Sequence, residues 1–232
     1  MKISRTTAEA ILLAALALVI GGCGASMQAR SAKVEKSLLV NPAVLSKGSG
    51  DQALYRYVNP QFKIDRYSRI LIEPVLIEKQ GELNAQQLEN YQKLANNAYL
   101  FLKEELGKDY AIVTRPEPGT LRLQMGIIEA DSSKAVRTVL SSLTPVGIGL
   151  SVVQYGATGK TSGAGEITAE FKITDAMTGE LLGAAVDRRV GGKDVQGVFD
   201  AWHNANDALQ YWARRFRYVL CRERGDQGCI KP

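Results

Sequence analysis

Residues 165–190 read GEITAEFKITDAMTGELLGAAVDRRV, and this stretch decides the fold. Its first half alternates apolar positions with charged or hydroxyl-bearing ones, which predicts a strand with one buried face. The residues from Asp175 to Gly179 have the composition of a tight turn, and residues 180–190 return with further apolar side chains. The stretch therefore predicts a β-hairpin, and the rest of the domain is expected to extend an antiparallel sheet from it.

Earlier segments add strands to this sheet. Ile70 to Ile77 is a β-rich apolar run, in which Pro74 confines the strand to an edge, a bulge or an end, because proline has no N–H to donate. A short strand at 110–114 leads through a proline-rich turn at 115–119 into a second alternating run at 121–127. We expect this second run to be a long strand antiparallel to its neighbour.

Two amphipathic helices complete the pattern. Asn84, with Gln87 three residues on, resembles a capping box, and apolar residues then recur at helical spacing as far as Gly107. A second apolar stripe runs from Val198 to Val219 and includes two tryptophans, which we interpret as core residues. The expected fold class is α+β (α/β), with a mixed, mostly antiparallel sheet covered on one face by two amphipathic helices.

The N-terminus has the order of an export signal. Lys2 and Arg5 precede an apolar run at 10–20, which is shorter than the roughly 20 residues that span a bilayer. The following residues 20–23, Ile-Gly-Gly-Cys, resemble the lipobox of bacterial lipoproteins. That resemblance implies a signal peptide at 1–22, cleavage before Cys23, and acyl chains on Cys23 that bind the membrane. The alternative is an ordinary secretory signal with an incidental cysteine.

The predicted location and domain boundaries follow from the same region. The residue after Cys23 is Gly24, whereas Asp at this position would resemble an inner-membrane retention signal. We therefore expect anchoring to the cell outer membrane. Residues 23–52 are small and polar, which predicts a flexible tether. Residues 53–232 are then a single α/β domain facing the periplasm, long enough to bury a core.

The remaining cysteines predict a disulfide, and the single histidine and the net charge argue against a metal and a nucleic-acid partner. Cys221 and Cys229 are close together in a chain expected to be exported, which predicts a disulfide, the alternative being two free thiols. His203 is the only histidine, so we expect no metal site and no cofactor. A net charge of +5 without a dense basic face does not indicate a nucleic-acid partner.

Three acidic residues near the hairpin are candidate catalytic groups. Asp175, Glu180 and Asp187 have carboxyls that suit acid–base chemistry. Turn hydrogen bonds explain the first two, and Asp187 can pair with Arg188 or Arg189. The chain also lacks a nucleophile motif and a phosphate-binding glycine loop. We therefore expect a protein that is not an enzyme.

Two surfaces remain as candidate binding sites. Residues 138–159 carry no charge and are rich in glycine, and they either pack over the sheet or contact a partner, a ligand or the membrane. The candidate contact residues in this segment are Val139, Leu140, Leu143, Pro145, Val146, Ile148, Leu150, Val152 and Val153. Arginines near the end of the last helix either offset the helix dipole or bind acidic groups such as lipid headgroups. They are Arg214, Arg215, Arg217, Arg222 and Arg224.

Several short motifs together resemble one family. They are Ile-Glu-Pro-Val at 72–75, Pro-Glu-Pro-Gly at 116–119, Thr-Asp-Ala-Met-Thr-Gly-Glu-Leu-Leu at 174–182 and Ala-Val-Asp-Arg-Arg at 185–189. With the lipobox and the Trp-containing last helix, they resemble the uncharacterised bacterial lipoproteins of the domain of unknown function 3313, over about residues 45–222. The resemblance implies no particular activity.

Taken together, these features favour a non-enzymatic accessory or assembly subunit of the cell envelope. Its expected partners are the membrane, through Cys23, and another envelope protein, with a second copy of the chain as a further candidate. The alternative function is a binding module for an envelope lipid or glycan.

Overall fold

The chain is built around the predicted hairpin. The structure is a computed structural model that describes residues 27–29, 37–78, 84–129, 141–142, 150–151, 166–190 and 201–232. Its helices are α1 (Ala85–Leu106) and α2 (Ala201–Arg224), with 3-10 turns at Pro42–Val44 and Ile64–Arg66. Its strands are β1 (Met27–Gln28), β2 (Ser46–Lys47), β3 (Tyr55–Val58), β4 (Arg69–Ile72), β5 (Leu76–Ile77), β6 (Ala111–Val113), β7 (Thr120–Glu129), β8 (Ser141–Ser142), β9 (Leu150–Ser151), β10 (Glu166–Asp175) and β11 (Leu181–Val190).

The sheet confirms the predicted fold class. Its strand order is β2-β3-β11-β10-β7-β4-β6, with β1 also paired to β11 and β5 to β7. The hairpin β10–β11 lies in the middle, in antiparallel register from Glu166↔Val190 to Ile173↔Gly183. Only the pairs that involve β4 and β5 are parallel among the described strands. The sheet is therefore mixed and mostly antiparallel.

The second long strand has a neighbour of each kind. β7 is antiparallel to β10 but parallel to β4, which separates it from β6. The proline-rich turn thus joins two strands that do not pair with each other. Its last residue, Gly119, has φ +73° and accepts hydrogen bonds at its carbonyl from the N–H groups of Ser68 and Arg69, 3.1 and 3.3 Å away. Pro74 interrupts the apolar run between β4 and β5, as predicted.

Both helices pack on one face of the sheet. The Asn84 side chain accepts a hydrogen bond from the Gln87 amide at 2.8 Å, and the Gln87 side chain accepts one from the Asn84 amide at 3.0 Å, so the predicted capping box begins α1. The core combines α1, α2 and the alternating apolar residues of the strands. Its most buried large side chains include Ile70, Ile77, Leu94, Leu102, Leu106, Leu121, Leu123, Ile127, Ile167, Leu209 and Leu220.

The opposite face of the sheet is covered by part of the predicted tether. The buried Glu170 carboxylate accepts hydrogen bonds from the amides of Leu38 and Leu39, at 2.6 and 2.9 Å. Gly126 makes room for this segment, since a Cβ there would lie 3.2 Å from Leu38 Cδ1. Together with the β2–β3 pairing, these contacts place residues 37–52 against the folded body. Because backbone amides make the contact with Glu170, no periodic pattern of apolar residues in the sequence indicates it.

Several predicted features lie outside the described residues. They are the signal peptide at 1–22, Cys23, and the candidate contact residues Val139, Leu140, Leu143, Pro145, Val146, Ile148, Val152 and Val153. The backbone of Leu150 is described, in β9, which pairs antiparallel with β8. Within the described part of the chain, no helix has the length and apolar character needed to cross a bilayer.

Candidate functional site

One cleft of the described structure arises because the sheet is wider than its helical layer. Packed helices lie about 8–10 Å apart and strands about 4.8 Å apart, so two helices cover roughly four strands. Here α1 packs near β4 and β5, and α2 packs on β10. The helix-side face of β11 and β3 is left open, and a cleft of about 460 Å³ lies between it and α2. We call this space the α2 cleft.

Small residues form the floor of the α2 cleft and aromatic residues form its wall. Gly183 and Ala185 of β11 have little or no side chain, so they leave open space above the sheet beside Phe171 of β10. The Phe171 ring lies 6.1 Å from the rings of both Trp212 and Phe216, measured between centroids. This lining suits an apolar ligand or side chain, because large aromatic surfaces provide contact area at little entropic cost.

Asp187 joins α2 to the edge of the sheet beside the cleft. Its carboxylate accepts hydrogen bonds from the Trp212 indole N–H at 2.8 Å, from the Leu54 amide at 3.3 Å and from the Gln28 side chain. The residue is 5% exposed. A buried carboxylate that accepts three donors is satisfied as a structural group. Asp187 thus fixes α2 at the distance from β11 that leaves the cleft open.

A buried cation lies next to Asp187 on the same strand. The Arg189 guanidinium carbon lies 3.5 Å from the centroid of the Tyr211 ring, which is cation–π geometry. Burial lowers the pKa of Arg189, and the nearby Tyr211 and Asp187 oppose that shift. Tyr211 is therefore held in place on the cleft wall by a residue of β11.

Charged side chains surround the mouth of the cleft. Asp51 accepts a hydrogen bond from Lys231 at 2.7 Å and pairs with Arg215 at 3.4 Å, and these two cations lower the pKa of Asp51, Lys231 contributing most. Arg56 is opposite Ala185 in the β3–β11 ladder, so it lies on the helix-side face. Neither Arg56 nor Arg222, both of which line the cleft, forms an ion pair within the described residues. Two cationic groups are thus available at the mouth.

The acids predicted from the hairpin do not converge. Asp175 accepts hydrogen bonds from the amides of Met177 and Thr178, at 2.9 and 2.8 Å, and from the Tyr67 hydroxyl at 3.0 Å. Burial alone would raise the pKa of Asp175, but these hydrogen bonds lower it overall. Burial and the Asp175 carboxylate raise the pKa of Tyr67 to about 12. Asp175 thus stabilises the turn, whereas Asp187 holds α2.

The arginine cluster at the end of α2 is largely paired. Arg217 donates to both oxygens of Asp109 at 2.8 and 3.1 Å, and it lowers the pKa of that carboxyl. Arg224 lies 2.6 Å from Asp226 and 3.7 Å from Asp109. Arg214 is 4.0 Å from Glu105. These contacts connect the ends of α1 and α2, so most of the predicted headgroup-binding cluster is already neutralised.

The predicted cysteine pair forms a disulfide. Cys221 of α2 is joined to Cys229, with their Cα atoms 5.8 Å apart. The bond closes the C-terminal turn against the helix end. Among the described residues, no three His, Cys, Asp or Glu side chains are grouped as metal ligands. The side chains of Trp202 and His203 are outside the described part.

Sequence reasoning did not identify the α2 cleft. The apolar stripe of α2 predicts core residues, and Trp212 is indeed buried. The available signal was the run of small residues at 183–185 in a strand that should otherwise carry large side chains facing a helix. Such a run between two aromatic-bearing elements indicates a gap in the packing.

Comparisons with known proteins identify one family over most of the chain. The family model described as protein of unknown function (DUF3313) matches residues 35–216. No curated protein matches the sequence.

Solved structures show distant likeness only. The PelC dodecamer from Paraburkholderia phytofirmans is 11% identical, with a TM-score of 0.33, covering 67% of this chain and 93% of that chain. A DUF330 protein from Xanthomonas campestris is 14% identical, with a TM-score of 0.35, over 70% and 89%. A DUF4136 family protein from Bacteroides thetaiotaomicron is 12% identical, with a TM-score of 0.35, over 75% and 98%. Likeness at this level carries no functional inference.

Proposed function

The chain belongs to the DUF3313 family, whose function is unknown, and we propose that it is a lipid-anchored envelope protein that works by binding through the α2 cleft. It would act without catalysis, as an accessory subunit of the cell envelope held on the outer membrane by acyl chains on Cys23. The observation that carries the binding role is the open cleft itself, lined by Phe171, Trp212 and Phe216.

The proposed anchor rests on the N-terminal sequence. The apolar run at 10–20 ends at Gly21-Gly22-Cys23, the order of a lipobox. One acyl chain binds a bilayer only marginally, whereas two or three hold a protein permanently. The +2 residue, Gly24, supports the outer membrane as the destination.

The proposed lack of catalysis rests on how the described acids are used. Asp175 and Asp187 accept hydrogen bonds from fixed donors and are not paired with one another. General acid–base catalysis requires a titrating group within reach of a substrate proton. The α2 cleft presents mainly aromatic and aliphatic surface, with arginines and the acids Asp51 and Glu223 also in its lining, which suits recognition.

The anchor is tested by Cys23→Ala in cells. We expect the variant to accumulate as unprocessed precursor or as protein released from the membrane, measured by fractionation and by intact mass. Processed Cys23→Ala protein that remains in the outer-membrane fraction would contradict the proposed anchor.

The binding role is tested by site-specific photocrosslinking in cells. Benzoylphenylalanine replaces Val219, which lines the cleft and is 38% exposed, or Leu100, a matched exposed apolar position on α1 that is 52% exposed. We expect adducts at position 219 that are absent at position 100. Filling the floor with Ala185→Trp should abolish them, while circular dichroism verifies the fold.

The mass of the adduct identifies the kind of partner. A protein-sized adduct indicates an accessory subunit, in contact with another envelope protein or with a second copy, and a small increment indicates a lipid or glycan ligand. Equal adducts at both positions, or adducts that persist in Ala185→Trp, would refute the cleft as the binding surface.

A further inference from the structure

We propose that the α2 cleft faces the membrane to which the protein is anchored and accommodates an acyl chain of a phospholipid from that leaflet. This inference deepens the proposed function and rests on the lipid anchor at Cys23. It follows from where the first strand begins and from the residues that line the cleft.

The chain is fixed to the folded body very soon after the anchor. β1 pairs with the end of β11 through Met27↔Val190 and Gln28↔Arg189, and the Ala29 amide donates to the Arg188 carbonyl at 2.9 Å. Only four residue steps separate Cys23 from Met27, and an extended chain spans at most about 3.5 Å per residue, or roughly 14 Å in all. The edge of the sheet at β1 must therefore lie close to the bilayer surface.

The α2 cleft begins at this same edge. Gln28 is part of its lining, and the Gln28 side chain donates to Asp187 and, at 2.9 Å, to the Gln52 carbonyl. We call residues 24–26 the leash, and Gln28, the second residue after it, is thus part of the cleft wall. A leash of this length brings the Gln28 end of the cleft to within reach of lipid headgroups.

The lining has the chemistry of a membrane interface. Tyr211 and Trp212 combine apolar rings with polar atoms, and such residues concentrate where acyl chains meet headgroups. Val219 exposes apolar surface in the same wall. Arg56 and Arg222 are available for a phosphate, which a guanidinium binds through two parallel hydrogen bonds.

The free energy of a phospholipid in the cleft depends chiefly on its headgroup. An acyl chain that moves from the bilayer into an apolar cleft gains little from the hydrophobic effect, because both environments are apolar. The preference for the cleft must then come from the headgroup, and the two arginines provide cationic contacts for it. The cleft volume of about 460 Å³ lies in the usual range for ligand pockets.

Trp212 provides an intrinsic reporter for this contact. The chain contains two tryptophans, so Trp202→Phe leaves Trp212 as the only one. The mature, acylated variant is reconstituted in vesicles of phosphatidylethanolamine and phosphatidylglycerol, with and without bromine atoms on the acyl chains. We expect a loss of Trp212 emission with the brominated lipids, because bromine quenches tryptophan on contact.

Two variants distinguish occupancy of the cleft from simple nearness to the bilayer. Ala185→Phe fills the floor, and Leu100→Phe adds the same side chain to the exposed surface of α1. We expect quenching to be lost in the first and kept in the second. If Ala185→Phe does not fold, Arg222→Glu, at an exposed position, should also abolish quenching by repelling the phosphate.

The leash is tested by inserting twelve Gly and Ser residues after Gly24, which should weaken quenching while leaving the protein on the vesicles. The proposal would be overturned if quenching were unchanged in Ala185→Phe, Arg222→Glu and the insertion variant. It would also be overturned if the Trp202→Phe protein itself showed no quenching. A failure of the anchor itself is a separate result, read from the fractionation of Cys23→Ala. An anchored protein without quenching therefore refutes only the lipid-binding inference.

Discussion

Replacing Trp212 by Phe removes the hydrogen bond that fixes α2 above the α2 cleft. The indole N–H donates to Asp187 at 2.8 Å, and Trp212 is 3% exposed. Phenylalanine keeps an aromatic ring against Phe171 but has no donor. The Asp187 carboxylate then retains the Leu54 amide and the Gln28 side chain as donors.

The expected loss of stability has two parts. A hydrogen bond to an ionised group contributes about 1.5–3 kcal/mol. The smaller ring adds a packing loss on the order of 1 kcal/mol, at the low end of large-to-small core substitutions. The sum is about 3 kcal/mol, which for a domain of this size lowers the melting temperature by roughly 6–12 °C.

Thermal unfolding followed by circular dichroism measures this loss, and a double-mutant cycle identifies its cause. Asp187→Asn alters the acceptor, and the two substitutions together should be less costly than their sum by about 1–2 kcal/mol. A melting temperature within 2 °C or so of the parent, where about 1 kcal/mol shifts it by 2–4 °C, would refute the assigned role of Trp212. Additive effects of the two substitutions would refute the pairing with Asp187.

Three further predictions concern the remaining buried or paired groups. Burial raises the pKa of Glu170 above 4.5, although hydrogen bonds from Ser37 and from the amides of Leu38 and Leu39 oppose the shift. The contribution of Glu170 to stability is therefore present below pH 4.5 and is lost as pH rises through the raised pKa. Urea unfolding from pH 4 to 8 should show the parent losing stability relative to Glu170→Gln, and parallel curves would contradict this. For Asp109 the sign is opposite, because its pKa is lowered below 3.8, chiefly by its hydrogen bond from Arg217. Arg217→Ala should cost at most about 1 kcal/mol near neutral pH and nothing in strong acid, and a cost that persists in acid would point to lost packing. Reducing the Cys221–Cys229 bond should lower the free energy of unfolding by roughly 2.5 kcal/mol in the chain-entropy model. The shift in the unfolding midpoint between samples with and without reductant measures this loss. An unchanged midpoint would show that the loop is equally restricted without the bond.

The parts of the fold that are periodic in sequence were predictable. The alternation before Asp175 and the turn composition from Asp175 to Gly179 predict the hairpin, and the cap and apolar spacing after Asn84 predict the first helix. Both signals arise because regular elements bury one face, and the period of the apolar residues reports that face.

The features that the sequence did not reveal depend on non-local contacts. The pairing of β7 with β4 rather than with β6 depends on the position of β4, which residues 115–129 do not encode. Leu38 and Leu39 bind Glu170 through backbone amides, which are the same in any sequence. The α2 cleft is a mismatch between the width of the sheet and that of two helices, so it belongs to no single segment.

The strand β11 connects these levels, because each part of it serves a different purpose in the proposed function. Gly183 and Ala185 leave the floor of the cleft open, and Asp187 fixes α2 as the wall. Val190 pairs with Met27, four residue steps after the proposed lipid anchor. A large side chain at Ala185 should therefore abolish binding without releasing the protein from the membrane, whereas a longer leash should leave the cleft intact and reduce only its access to lipid. Since β11 carries both the floor and the pairing with β1, the distance between the cleft and the bilayer depends on that pairing and on the length of the leash.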